Sequence, residues 1–225
     1  MLKQSLNKGH SKTLQKSWYD DTIMTKSHWQ ILLFNLLYIG AFTFYYVTRR
    51  NFEFLLYIGV LVFFFALIFL TLPKSKFGPV VLWGLSLWGL LHMAGGGVHL
   101  GDGVLYDLIL IPLVSQGEIV ILRYDQAVHC FGFGVTTLVG FYLLRPYLNE
   151  RTNWKVIYLI LLGFGMGMGA LNEIVEFLAT VMVPNTGVGG YVNTALDLVF
   201  NFLGSLFAVL LVHFKLRRLT TRGSF

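Results

Sequence analysis

The chain has 225 residues, of which 56% are hydrophobic and only 12% charged, with a net charge of +6. Soluble domains carry about twice that charged fraction, which excludes an ordinary water-soluble enzyme. Long apolar runs recur along the whole length, so the chain reads as polytopic rather than anchored once.

In chain order, the first segment is polar. Met1 to His28 carries Lys3, Lys8, Lys12, Lys16 and Lys26. It is too long and too polar for the n-region of a signal peptide, and no small-residue cleavage site follows the first apolar run. The expectation is a retained cytoplasmic arm. It is either a short amphipathic helix on anionic lipid, touching it through Leu14, Trp18 and Tyr19, or a disordered tail.

A membrane-crossing helix needs about 20 mainly apolar residues. Six predicted spans follow: Trp29 to Thr48, Phe52 to Leu72 ended by Pro73, and Pro79 to Ala94 ended by the Gly95-Gly96-Gly97 run; then Tyr124 to Leu144 ended by Pro146, Trp154 to Val183 ended by Pro184, and Val192 to Phe214. Between the third and fourth lies Val104 to Val114, apolar but about half the crossing length and containing Pro112. That length predicts a short re-entrant or interfacial segment. Asp102, Asp107 and Glu118 flank or occupy it. It reads either as a lid folded back over a site or as an ordinary interfacial loop. The fold class is therefore all-α, a polytopic helix bundle. Residues 29–214 form its single transmembrane domain, between the arm (1–28) and a basic cytoplasmic tail (215–225).

Lys and Arg set the topology. With both termini inside, 14 of the 17 basic residues lie on the cytoplasmic side, and only Arg49, Arg50 and Arg123 lie outside. Positive charge is retained inside, so N-in and C-in is the favoured orientation. The positive balance thus reflects topology, and no nucleic-acid partner is expected. The one cysteine, Cys130, leaves the redox compartment undecided.

Several spans carry ionisable residues, which are expensive in hydrocarbon and usually mark a pathway, a bound ion or chemistry. Asp125 and His129 are spaced i,i+4, so they share a helix face. Glu173 and Glu176 share one at i,i+3, with Asn172 beside them. Asn193, Asp197 and Asn201 form an i,i+4,i+8 stripe. His92 lies near the outer end of the third span, with His99 and Arg123 close in sequence to the outer ends. Counting rise per residue puts Glu176 roughly 10 to 12 Å below the outer end of its helix. Four helices then bring polar groups to a similar depth in the outer half of the membrane.

Four carboxylates that close cannot all ionise without compensation. Protons, His129 or Arg123, or a divalent cation would supply it. A metal reading takes His92, His99 and His129 with the carboxylates, Glu173, Glu176 and Asp197 foremost, as mixed N/O ligands, a set suited to zinc, manganese or iron. A proton relay and a hydrogen-bonded network that merely fixes helix packing remain open beside it. Gly163, Gly165, Gly167 and Gly169 form two interleaved GxxxG patterns, and Gly132, Thr136 and Gly140 repeat the small-residue spacing. Both read as close helix packing.

Arg123-Tyr124-Asp125 through His129 and Phe131, then Glu173 and Glu176, then Asp197, Asn201 and Gly204 together resemble the VanZ-like membrane proteins. The upstream His92-xx-Gly95-Gly96 stretch and the phrase RYDQAVHCFGFG look more specifically like the YjdF-type family of bacterial inner-membrane proteins. That pattern runs His-Gly-Gly, YDRxxH, ExxEW and DTxxD, and the likeness covers roughly residues 30 to 212. This chain departs from it at Gln126 for Arg, Phe177 for Trp and Asn193 for Asp. The YjdF-type resemblance implies a bacterial inner membrane and no particular activity. The VanZ-like one, associated with glycopeptide resistance, implies work near the cell surface or on lipid-linked material.

The lead expectation is a membrane enzyme acting on lipid or envelope substrates, metal-assisted, hydrolase or transferase. Asp125, His129, Glu173, Glu176 and Asp197 would hold a cation or share a proton, and one carboxylate such as Glu176 would activate water. His99, Arg123, Asn172, Asn193 and Asn201 would support them. The rivals are a transporter or ion conductor, and a non-catalytic binding or assembly protein. Apolar inner halves and the lack of evident inverted repeats argue mildly against transport.

Overall fold

The computed structural model describes residues 25–216 except 76, 118 and 185. The expected arm, with Leu14, Trp18 and Tyr19, lies outside the described residues up to residue 24, as do Glu118 and most of the basic tail. Six helices are long and apolar enough to cross a membrane. They are α1 (Lys26–Thr48), α2 (Phe52–Ser75), α3 (Pro79–Gly97), α4 (Tyr124–Leu144), α5 (Trp154–Met182) and α6 (Tyr191–Leu211). The last runs on into a π-helical turn, Val212–Leu216.

Local chemistry explains several helix ends. Thr25 caps α1, its hydroxyl accepting from the His28 amide at 3.4 Å while His28 Nδ1 accepts from the Thr25 amide at 3.0 Å. This reciprocal arrangement starts the helix at Lys26, inside the expected arm. Pro79 opens α3, where a missing N–H costs nothing. The side chain of Asn153 caps α5 by accepting from the Lys155 amide at 3.2 Å.

Two expected stops do not stop their helices. Pro73 lies inside the last turn of α2, which continues to Ser75. A helical proline gives up the bond to the carbonyl four residues before it, and here the helical backbone carries on for two residues past it. The Gly95-Gly96-Gly97 run stays helical and serves close approach instead. A Cβ on Gly95 would strike the ring of Tyr106, one on Gly96 the ring of Phe54, and one on Gly97 would lie 2.8 Å from Phe42 and from the Tyr46 hydroxyl.

The short segment expected between α3 and α4 is built of paired strands. It holds a two-residue ladder, β1 (His99–Leu100) with β2 (Gly103–Val104), then a 3-10 turn (Leu105–Asp107), then the antiparallel pair β3 (Ile109–Gln116) and β4 (Ile119–Arg123). Gly101 (φ 61°) and Gly117 (φ 58°) sit in the turns, where positive φ favours glycine. β3 and β4 pair from Gln116↔Ile119 to Val114↔Ile121 and again at Ile109↔Arg123, with an irregularity between that spans Pro112. Proline cannot donate to a ladder, so a break there is expected. The whole of β3 is exposed.

α4, α5 and α6 form one packed group, and α3 joins α4 to α1 with α2 alongside. At the end bearing the strands, Tyr38, Tyr46, Phe54, Tyr57, Met93 and Ala179 form a shared core from four helices. Phe141, Leu161, Val209 and Val212 close α4, α5 and α6 together toward the other end. Exposed Phe44, Leu70, Val80, Leu159, Val181 and Phe207 cover the outside. In a bilayer that surface meets lipid, so packing and polar contacts rather than hydrophobic burial hold the helices together. Small residues serve this. Gly204 of α6 lies so close to the Cys130 carbonyl of α4 that a Cβ would collide with it. Only one of the two GxxxG patterns is used: Gly165 faces Thr137 and Ser205, and Gly169 faces Asn201, while Gly163 and Gly167 have nothing within 4 Å.

Candidate functional site

The first turn of α4 sets the site. Before it, Leu122 adopts a positive φ of 74°, unusual for a bulky residue. The buried side chain of Gln126 holds this corner. Its Oε1 accepts from the Leu122 amide at 2.7 Å and the Arg123 amide at 3.1 Å, and its Nε2 donates to the Val120 carbonyl at 3.0 Å. One turn of helix then places Asp125 and His129 on the same face, with His129 Nε2 3.6 Å from Asp125 Oδ1. The first turn also suits Asp125, because the positive end of the helix dipole lies there.

α6 brings Asn193, Asp197 and Asn201 against that face. Asn193 Nδ2 donates to Asp197 Oδ2 at 2.6 Å and reaches Asp125 Oδ2 at 3.4 Å. Asn201 Oδ1 lies 3.1 Å from His129 Nδ1. A carboxamide oxygen only accepts, so His129 donates there through Nδ1–H. That leaves Nε2, in the neutral ring, as a lone pair facing a carboxylate oxygen. Two acceptors face to face repel, so the geometry calls for a proton or a cation between them.

α5 supplies Glu173 and Glu176. Glu173 Oε1 lies 3.7 Å from His129 Nδ1. Glu176 Oε1 accepts from Asn172 Nδ2 at 2.7 Å. Two triads emerge in which one ligand-type atom from each residue lies within 4.8 Å of the others: Asp125, His129 and Asp197, and His129, Glu173 and Glu176. Asp197 and Asn201 are fully buried at 0% exposure. Yet among the described residues Asp197 Oδ1, Asn201 Nδ2 and both Glu173 carboxylate oxygens have no hydrogen-bond partner. Orphaned buried carboxylate oxygens are costly, and they are the atoms a cation would satisfy.

The remaining expected residues fall elsewhere. His92 is in neither triad. Its Nδ1 meets the Tyr106 hydroxyl at 2.6 Å, and that hydroxyl donates to the His92 carbonyl at 2.8 Å. The rings of Phe54, Tyr57, Trp88 and Tyr106 surround it. His99 is not brought to the cluster at all. It lies in exposed β1, with Nδ1 3.2 Å from the Tyr45 hydroxyl. His92, on α3, and His99, in β1, thus depart from the expected ligand set, each meeting a tyrosine instead. Arg123 stands at the rim, with its Nε unpartnered among the described residues.

Three further residues belong to the site's frame. Gln126 is one, and Thr137 and Ser205 are the pair filling the space before Gly165. Tyr106 is the fourth contributor, reaching back from the 3-10 turn. Burial, then the charges of Asp125 and Glu176, push its phenol well above the ordinary tyrosine value, so it remains a protonated donor. In that limited sense the interval folds back over the bundle end, through one tyrosine.

A cavity of about 400 Å³ opens beside the cluster, lined by Arg123, Gln126, Gly189, Gly190, Tyr191, Val192, Asn193 and Leu196. Asn193 is shared, facing the cavity while donating to both aspartates.

Fold and cluster together define a polytopic helical membrane protein whose polar side chains meet between three of its helices. A family model described as "Predicted membrane protein (DUF2238)" matches residues 30–218, and the chain belongs to that family. No curated protein and no solved structure matched.

Proposed function

We propose that the protein is a cation-dependent enzyme of the membrane, a hydrolase or transferase acting on lipid or envelope substrates. In this reading Asp125, His129 and Asp197 hold a divalent ion, and His129 binds through Nε2 while Asn201 orients the ring from the far side. That division of labour is usual for metal-bound histidine. Glu173 and Glu176 complete the site from α5, and Glu176 activates water.

The observation that carries the reading is the Asp125–His129–Asp197 triad, with ligand atoms within 4.8 Å of one another and a fully buried, unpartnered Asp197 Oδ1. A mixed N/O set of this kind suits zinc, manganese or iron. The apolar floor of Phe141, Leu161, Val209 and Val212 favours a closed site over a conducting path. The Lys and Arg distribution supports an N-in, C-in orientation with the site toward the outer face. The VanZ-like and YjdF-type resemblance supports a bacterial inner-membrane setting and envelope substrates, by analogy alone.

The test is elemental analysis of full-length protein purified without chelators, with Asp197→Asn and Asp125→Asn alongside. Stoichiometric transition metal in the parent and its loss from both variants is the expected result. A second arm reconstitutes the parent and Glu176→Gln with envelope lipid extract and follows products by mass spectrometry. Metal-free parent protein, with lipid profiles identical for parent and Glu176→Gln, overturns the reading.

A further inference from the structure

The cavity beside the cluster has a chemistry of its own. It is about 400 Å³, within the range of small-ligand sites. Its wall carries one cationic side chain, Arg123, and the carboxamide of Asn193. The guanidinium Nε is buried and unpartnered, although arginine is the side chain best built to grip a planar or tetrahedral oxyanion with two parallel bonds. The start of α6 lines the same space through Gly189, Gly190 and Tyr191. Gly190 caps that helix without any side-chain bond.

Position matters as much as charge. Asn193 lines the cavity and bonds Asp125 and Asp197 behind it. A ligand in the cavity therefore sits one side chain from the proposed cation. Exposed Tyr191 stands at the cavity's edge. Apolar groups, Val192 and Leu196, share the lining, which suits a head group with a greasy continuation.

We infer that this cavity binds the phosphate of a phosphate-ester substrate, held by Arg123 on one side and facing the Asp125–His129–Asp197 cation on the other. The inference deepens the proposed function and rests on it for the cation. Gln126 is the positioning residue: by fixing the Leu122 and Arg123 amides it aims the arginine into the space. A neutral or cationic head group leaves the arginine unanswered and is not selected.

Native mass spectrometry of the full-length protein in detergent tests it, with phosphatidic acid, diacylglycerol of the same acyl chains, and inorganic phosphate as probes. Phosphatidic acid is expected to bind in preference to diacylglycerol. Arg123→Gln should weaken that preference by roughly tenfold, the effect of losing one charge-assisted contact. Arg123→Lys should lose less, and Arg49→Gln, a cation outside the cavity lining, nothing. Val192→Glu, which adds a carboxylate to the wall while Arg123 itself is retained, should also abolish the preference and guards against a misfolded Arg123→Gln. Competition by inorganic phosphate identifies a free phosphate as sufficient; its absence identifies the lipid-borne ester. Equal binding of phosphatidic acid and diacylglycerol, or a preference unchanged in Arg123→Gln and Val192→Glu, overturns the inference. Metal content of the same samples separates the two ideas. Metal present without the Arg123 effect sinks the phosphate site alone, whereas the Arg123 effect in metal-free protein sinks the cation and leaves the phosphate site standing.

Discussion

The imidazole of His129 and the carboxamide of Asn201, 72 residues apart in the chain, meet at 3.1 Å between Nδ1 and Oδ1. Both side chains are buried, so the bond fixes the ring's tautomer as well as its direction. Asn201→Leu removes the acceptor and leaves a buried donor without a partner. Stability should fall by about 1–3 kcal/mol, seen as a lower midpoint in denaturant titrations in mild detergent. An unchanged midpoint would show that the contact contributes nothing.

Glycine spacing on α5 gives a paired prediction. Gly169→Ala places a Cβ 2.6 Å from Asn201 Nδ2, whereas Gly167→Ala meets nothing within 4 Å. Helix propensity alone favours both changes by about 0.5–1 kcal/mol. The expected outcome is opposite signs: Gly167→Ala neutral or stabilising, Gly169→Ala destabilising and disturbing the His129 ring. Thermal melts of the two variants, with the His129 imidazole resonances followed by NMR, check it. Equal behaviour would contradict the close approach of α5 to α6.

At the β4–α4 corner, Gln126 answers three backbone groups. Gln126→Ala leaves two amides and a carbonyl to find water and costs about 1–3 kcal/mol. The loss should be local. Amide exchange of Leu122 and Arg123 should quicken while the centres of α5 and α6 keep their protection. Exchange that is unaltered at the corner counts against this role.

Glu53 ties the start of α2 to the loop before α6. Its Oε2 accepts from the Gly187 amide at 2.7 Å, and its Oε1 from the Tyr57 hydroxyl at 3.3 Å. Glu53→Ala should free that loop. Limited proteolysis should then cut near residues 186–190 several times faster, an effect that opening free energies of about 1 kcal/mol produce. Cutting at the parental rate would show that the tie is dispensable.

Much of this was legible in the chain because bilayers demand long apolar runs. The six spans, and the shared faces of Asp125 with His129 and of Asn193 with Asp197 and Asn201, follow from spacing alone. The strands between α3 and α4 were not legible. Ile109 to Val114 is apolar on both faces, so it lacks the alternation that announces a half-buried strand, and its length suggested only a short re-entrant or interfacial segment. Gln126 was equally hidden: read as a missing arginine, it acts through its amide on residues three to six positions back, which no local pattern encodes. The histidines divide for a similar reason. His129 shares a helix face with Asp125, a spacing visible in the chain, whereas His92 and His99 are claimed by Tyr106 and Tyr45, partners that only the tertiary structure reveals.

The contact between Gly204 and the Cys130 carbonyl divides the cluster into unequal parts. With backbones touching, α4 and α6 have no slack, so Asp125, His129 and Asp197 travel as one body. Glu173 and Glu176 ride on a different helix, steered by Gly165 and Gly169. A separation of α5 from α4 and α6 would therefore carry the glutamates away without dismantling the first triad, and the close seating of Gly165 and Gly169 is what opposes it.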